Sequence, residues 1–205
     1  MQLFYRRAEW RVKTAEKKIY LSFDDGPHPE ITNWVLDVLK EYNGKATFFC
    51  VGENVRKHSE VYKRILNENH SVGNHTYNHV YGWRTDTKNY VSNVERCAEI
   101  MNLSSIIHLP SSITHPLFRP PYGKMKPSQY SILNTQYSIV MWDVLSGDFD
   151  NKITKEKCLQ NCVDYSREGT IIVFHDSQKA KANLEFALPK FLKHFSEIGF
   201  SFEKL

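Results

Sequence analysis

The sequence holds only four cysteines, Cys50, Cys97, Cys158 and Cys162, and no two stand in the C-x-x-C spacing of a zinc ribbon or a thioredoxin-like redox site. Cys50 closes the apolar run at 46–50, and Cys158 and Cys162 lie one helical turn apart, so structural places in the core are expected for them. A clustered stripe of one charge is also missing. With 27 Lys+Arg against 23 Asp+Glu the net charge is only +4 and the basic residues are scattered, which argues against a dedicated nucleic-acid surface. The one locally basic stretch is the start, with Arg6, Arg7, Arg11, Lys13, Lys17 and Lys18 around Phe4, Tyr5 and Trp10. It reads as a solvated N-terminal segment over residues 1–17. No long apolar run follows it, so the chain as given shows neither a secretory signal nor a transmembrane helix, and a complete chain of this kind would be cytoplasmic. No repeat, linker or low-complexity tract divides the sequence.

What is present is the composition of one ordinary domain: 205 residues, 41% hydrophobic and 24% charged. Short apolar runs alternate with amphipathic stretches. Strands are expected at 18–23, 46–51, 71–74, 116–118, 137–142, 170–174 and 200–203, and helices at 31–42, 60–69, 88–101, 127–133, 154–166 and 183–196. The helix at 31–42 rests on Ile31, Trp34, Val35, Val38, Leu39 and Tyr42, which recur on one face. About seven βα units with continuous apolar strands predict a single-domain α/β fold: a distorted, TIM-like barrel of the (β/α)7 type. Residues 102–115 read as a loop insertion.

The residues able to do chemistry fall at equivalent places. Asp24 and Asp25 follow the first strand, His75 and His79 the Ser71 strand, and Arg119 the Phe118 strand. Asp148 follows the Trp142 strand and His175 the Phe174 strand. All are at C-terminal strand ends, the rim where parallel α/β barrels build active sites. Two adjacent carboxylates do not both ionise easily without a positive neighbour, so Asp24 and Asp25 either hold a cation or divide their roles. His75 and His79, four apart, are expected on one face of a helical turn, where with Asp25 they make a three-ligand metal site with an open position. Arg119 is placed to pair with a carboxylate, and the turn at 120–123 could aim an amide at a developing oxyanion.

Together these segments resemble the carbohydrate esterase family 4 polysaccharide deacetylases, the NodB homology domain. The resemblance covers about residues 18–203 and rests on Ser22-Phe-Asp-Asp-Gly-Pro27, His75-Thr-Tyr-Asn-His79, Arg119-Pro-Pro-Tyr-Gly123 and Ile172 to His175, in the family's order. It places the catalytic domain at 18–205. It implies that Asp25, His75 and His79 bind one divalent metal ion, in this family usually zinc. It further implies Asp24 as general base, His175 as general acid, Arg119 as tether of the base and the Tyr122 backbone N–H as part of the oxyanion site. The fourth motif departs from the family pattern: its first acid is absent and Phe149 stands where Trp is usual. Asp148 is then the partner expected to hold His175, with Asp143 or Asp150 as substitutes.

The activity so implied is removal of N-acetyl groups from amino-sugar glycans, peptidoglycan or chitin-like oligosaccharides, with release of acetate. The same site could serve O-acetyl esters or a small non-sugar amide. A non-catalytic glycan-binding module is the reading from another class. Tyr77, Tyr81, Trp83, Tyr122 and Trp142 are candidates to stack on sugar rings. The implied partner is an N-acetylated glycan, with no nucleic acid and no membrane span, and oligomeric state is not legible.

Overall fold

The computed structural model describes residue 5, residues 7–104 and residues 115–205. Among the described residues eight parallel strands form one curled sheet: β1 (Lys18–Asp24), β2 (Thr47–Cys50), β3 (Ser71–Asn74), β4 (Leu117–Phe118), β5 (Ser138–Ile139), β6 (Val144–Leu145), β7 (Ile171–His175) and β8 (Ser201–Glu203). Their order is β5-β4-β3-β2-β1-β7-β6, and β8 pairs with the start of β1. Among the described residues seven α-helices accompany them: α1 (Ile31–Glu41), α2 (Gly52–Lys57), α3 (Ser59–Asn67), α4 (Thr87–Ser104), α5 (Pro127–Leu133), α6 (Lys155–Tyr165) and α7 (Lys181–Glu197). The fold is the distorted (β/α)7-type barrel that the alternation of elements predicts.

The two-residue period of the strands sorts the barrel into an outer and an inner face. Ile19, Leu21 and Phe23 of β1, Phe48 and Cys50 of β2, and Ile172 and Phe174 of β7 belong to one core. Helices α1 and α7 cover it with Val35, Leu39, Leu188 and Phe191, among others. The intervening residues turn inward. Ser22 and Asp24 face the interior, where Phe49, Val140 and Ile171 form a small separate cluster. Cys158 and Cys162 are buried free thiols in the outer core, as their spacing suggests, and all four cysteines are free.

Several expectations are corrected. The run at 137–142 forms ladder only over β5, and the short strand β6 and helix α2 carry too few apolar residues to announce themselves. The sheet does not close on itself among the described residues; the N-terminal segment, read as solvated, spans the gap instead. The Glu9 N–H donates to Ile139 O (2.8 Å), Met141 N–H to Glu9 O (2.7 Å) and Val12 N–H to Gly169 O (2.9 Å), so the segment bridges the β5 and β7 sides. Tyr5 is buried, and its hydroxyl exchanges hydrogen bonds with the backbone of Met125 (2.8 and 2.9 Å). No described helix is long and apolar enough to cross a membrane. Of the loop expected at 102–115, residues 102–104 end α4 and residues 105–114 lie outside the described residues.

Candidate active site

Register brings the site together. Asp24 ends β1 opposite His175, which ends β7, while Asn74 of β3 pairs with Phe118 of β4, so His75 and Arg119 leave neighbouring strands side by side. The whole side chain of Arg119 is buried. Its Nη1 donates to Asp24 Oδ1 (2.7 Å) and Ser22 Oγ (2.8 Å), Nη2 to Met141 O (2.8 Å) and Nε to Val140 O (3.2 Å). The guanidinium also lies 4.1 Å from the centroid of the Phe49 ring. A buried cation is tolerated only when paired and hydrogen-bonded, and this cage supplies both. Phe49 is there because its neighbours in the strand, Phe48 and Cys50, point outward.

Asp25, His75 and His79 offer ligand atoms that all lie within 4.8 Å of one another. The two histidines do not share a helical turn as expected. Thr76 (φ 63°) and His79 (φ 55°) are left-handed, which no α-helix accommodates. Side chains hold the loop in this shape: Asn74 Oδ1 accepts from Thr76 N–H (2.8 Å), and Asn93 Oδ1 accepts from the N–H groups of Tyr77 (2.7 Å) and Asn78 (3.1 Å). Asp25 (φ 82°) and Tyr122 (φ 61°) are left-handed as well, so four non-glycine residues of the site sit in a sparsely populated region.

The donor set fits a cation. His75 Nδ1 lies 2.7 Å from the carbonyl oxygen of Arg119, which can only accept, so Nδ1 carries the proton and the Nε2 lone pair is directed to the cluster. Burial pushes the His75 imidazole down to about 4, keeping it neutral and able to ligate. Asp25 Oδ1 is buried without a well-formed hydrogen bond although His79 Nε2 is 3.1 Å and His75 Nε2 3.7 Å away. Burial alone would raise the Asp25 carboxyl, but the imidazoles of His79, His175 and His75 hold it well below the usual carboxylate range. One carboxylate and two imidazoles brought this close are the donor types that a divalent ion takes.

Beside this cluster, His175 Nδ1 is 2.7 Å from Asp148 Oδ1, and Asp148 Oδ2 accepts the His175 backbone N–H (2.7 Å). Burial works against the imidazolium, but the fully buried Asp148 overcomes it and lifts His175 to about 9. The substitutes are engaged elsewhere: Asp143 faces Arg11 (3.9 Å) and Arg167 (3.4 Å), and Asp150 Oδ1 accepts from Lys152 N–H (2.9 Å). Phe149 packs edge-on against His175 with ring centroids 4.8 Å apart.

Two residues here were given no role in the reading of the motifs. Ser22 Oγ accepts from Arg119 and donates to Ile172 O (2.7 Å); its signal is a hydroxyl on the same strand face as Asp24. Asp176, next to His175, is buried, and its Oδ1 accepts the Gly26 N–H (3.0 Å) while Oδ2 accepts the Thr32 hydroxyl. Its own N–H donates to Asp24 O (3.1 Å), so it ties the Asp24–Gly26 turn to α1 and β7. Of the aromatic candidates, Tyr77 is buried in the core, whereas Tyr122 and Trp83 are 56% and 53% exposed.

Similarity to known proteins agrees with the geometry. The family model described as polysaccharide deacetylase matches residues 11–137. A peptidoglycan-N-acetylglucosamine deacetylase of Bacillus cereus is 34% identical over 161 residues, covering 78% of this chain and 56% of its own length. The peptidoglycan-N-acetylmuramic acid deacetylase PdaC of Bacillus subtilis is 32% identical over 192 residues, covering 94% of this chain and 38% of its own. The chain thus spans about half or less of the length of these two relatives. The crystal structure of the Bc1960 peptidoglycan N-acetylglucosamine deacetylase superposes with a TM-score of 0.86 at 30% identity, covering 97% of this chain and 91% of that one.

Proposed function

The chain belongs to the polysaccharide deacetylase family, and from that premise we propose that it is a metal-dependent hydrolase removing N-acetyl groups from an amino-sugar glycan. The observation that carries the reading is the joining, at neighbouring strand ends, of an Arg119-held carboxylate, an Asp148-held imidazole and a three-ligand cluster. Residues 18–205 form the catalytic unit in this reading, with the segment before it closing the barrel.

Asp25, His75 and His79 hold one divalent ion, zinc in our proposal, which when bound supplies Lewis acidity and lowers the pKa of water. Asp24 is the general base. Arg119 occupies its Oδ1, leaving the second oxygen to take a proton from the attacking water. The Tyr122 N–H is the backbone donor to the oxyanion that develops on the acyl oxygen. His175 is the general acid: with Nδ1 on Asp148, the proton on Nε2 goes to the departing amine as the C–N bond breaks. With a pKa lifted to about 9, His175 is protonated at neutral pH, the state a general acid needs.

The test is acetate release from an N-acetylglucosamine oligomer by the zinc-loaded protein, with a chelated aliquot and an O-acetylated xylan in parallel. Metal-dependent release from the oligomer is expected. Release from the xylan alone would transfer the activity to esters, and binding without turnover would make the domain a glycan-binding module.

A further inference from the structure

The barrel face opposite the reaction centre holds a cavity of its own. Lys45 stands just before β2 and His70 just before β3, so the cavity of about 360 Å³ that both line lies at the N-terminal strand ends, away from the rim of Asp24, His75 and His175. Its charge is unbalanced. Lys40 and Lys45 line it, and Lys204, which follows β8, reaches it at Asn69, donating from Nζ to Asn69 O (2.9 Å) and Oδ1 (2.8 Å). None of the three is paired with a carboxylate among the described residues. The acid on the cavity wall, Glu68, is taken by Arg64 Nε (2.7 Å). Burial, and then Lys45, push the Lys204 ammonium below its ordinary pKa.

Capping of helix C-termini explains part of this charge. Lys45 Nζ donates to Glu68 O (2.9 Å) at the end of α3, and Lys40 lies in the last turn of α1. Two helix ends carry only about one negative charge between them, however, against three ammonium groups with hydrogens to spare. His70 makes the cavity a site. Its side chain is buried, with 5% of the residue exposed, and its Nδ1 accepts the Ala46 N–H (3.1 Å), so the ring proton is on Nε2. Burial, and then Lys45, push the imidazole down to about 4, so it stays a neutral donor. The Nε2–H has no acceptor among the described residues. A donor so deeply placed needs one, and the cavity is where one can enter.

We propose that this cavity binds the phosphoryl group of a small molecule, with Lys40, Lys45 and Lys204 around the anion and the His70 Nε2–H and the Asn69 side-chain amide as neutral donors. Asn69 Oδ1 faces Lys204, which leaves the Asn69 Nδ2 hydrogens to the ligand. A phosphomonoester carries nearly two charges at neutral pH and three strong acceptor oxygens, which several ammonium and N–H groups can share. A carboxylate, with one charge and two oxygens, would leave part of the set unused. The volume is near the lower end of small-ligand sites, enough for the phosphate and a body about the size of a hexose. The site shares no residue with the reaction centre, so it stands or falls apart from the deacetylase reading.

The experiment is a nitrogen-15 NMR titration of the zinc-loaded protein with glucose 6-phosphate, inorganic phosphate and glucose. Saturable shifts are expected from both phosphates and not from glucose, at the amides of Gly44, Asn69 and His70 and at the His70 Nε2–H. Tighter binding of the ester assigns the site to a phosphorylated small molecule, and equal or tighter binding of the free ion assigns it to inorganic phosphate. The double variant Lys45→Met, Lys204→Met should weaken binding about tenfold, and Lys40→Met about threefold, the effect of removing partly exposed charge contacts. Lys40 is exposed and makes no side-chain hydrogen bond among the described residues, so Lys40→Met decides alone if the double variant does not fold. Binding should also weaken as salt is raised to ~0.5 M, where such contacts are screened. No saturation by ~10 mM of either phosphate, shifts confined to His75, His79 and Tyr122, equal binding of glucose, or an affinity that the variants leave unchanged overturns the site.

Discussion

Arg119 Nη1 donates to Asp24 Oδ1 at 2.7 Å with both side chains buried, so the barrel interior contains a charge pair that neither partner can leave. Replacing one member strands the other. Arg119→Met is expected to cost about 3–5 kcal/mol of stability, because an unpaired buried carboxylate remains. Arg119→Lys keeps the charge but not the fork that reaches Ser22, Val140 and Met141, and should fall between. Urea unfolding of the chelated proteins measures this, and an unchanged midpoint in Arg119→Met would show that Asp24 does not depend on it.

The His175–Asp148 pair gives a pH dependence of known sign. Burial depresses the imidazolium but Asp148 prevails, so the folded pKa of about 9 stands above the ordinary 6.5. The stabilisation from protonated His175 is therefore fully present below pH 6.5 and is lost as the pH rises through 9. Comparing the chelated wild type with His175→Gln cancels the other groups. The stability advantage of the wild type should shrink by about 3 kcal/mol across that window. An advantage that is flat with pH would mean that the imidazole is not charged in the folded state.

Elements with a full period could be read from residues. Strand β3 and helix α5 fall where the sequence puts them, and α1 and β7 differ only at their ends. Helix α2 has just Gly52 and Val55 buried, and β6 has two residues, so neither shows a repeat to recognise. Site residues that end strands were legible because chemistry-bearing side chains there interrupt apolar runs. The roles of Ser22 and Asp176 were not, because each answers a buried partner that only the tertiary structure supplies: the Arg119 fork for one, the Gly26 N–H and Thr32 hydroxyl for the other. The shape of the His75–His79 loop was misread for the same reason, since spacing alone favours a helical turn and Asn74 and Asn93 impose another.

A ligand that binds only the folded chain raises its melting temperature. Zinc added to the chelated protein should therefore raise it, and Asp25→Asn or His75→Ala should abolish the rise, since each removes one of three donors. Calorimetry with and without zinc checks this apart from any activity. An equal rise in the wild type and both variants would place the bound zinc elsewhere.

Gly26 owes its identity to Asp176. A Cβ at this position would lie 2.0 Å from Asp176 Oδ2, and that carboxyl cannot swing aside without releasing both the Gly26 N–H and the Thr32 hydroxyl. Gly26→Ala should therefore cost about 1–3 kcal/mol, the usual penalty of overpacking a filled interior. The damage should not stay local to folding. Asp25 precedes Gly26 and is itself left-handed at φ 82°, so moving the turn displaces the carboxylate from the two imidazoles. Gly26→Ala is expected to weaken zinc binding, whereas a core substitution of similar cost away from the site, such as Ile65→Val in α3, should leave it intact. Zinc titration of the two variants separates these effects, and equal affinity in both would reduce Asp176 to a packing residue.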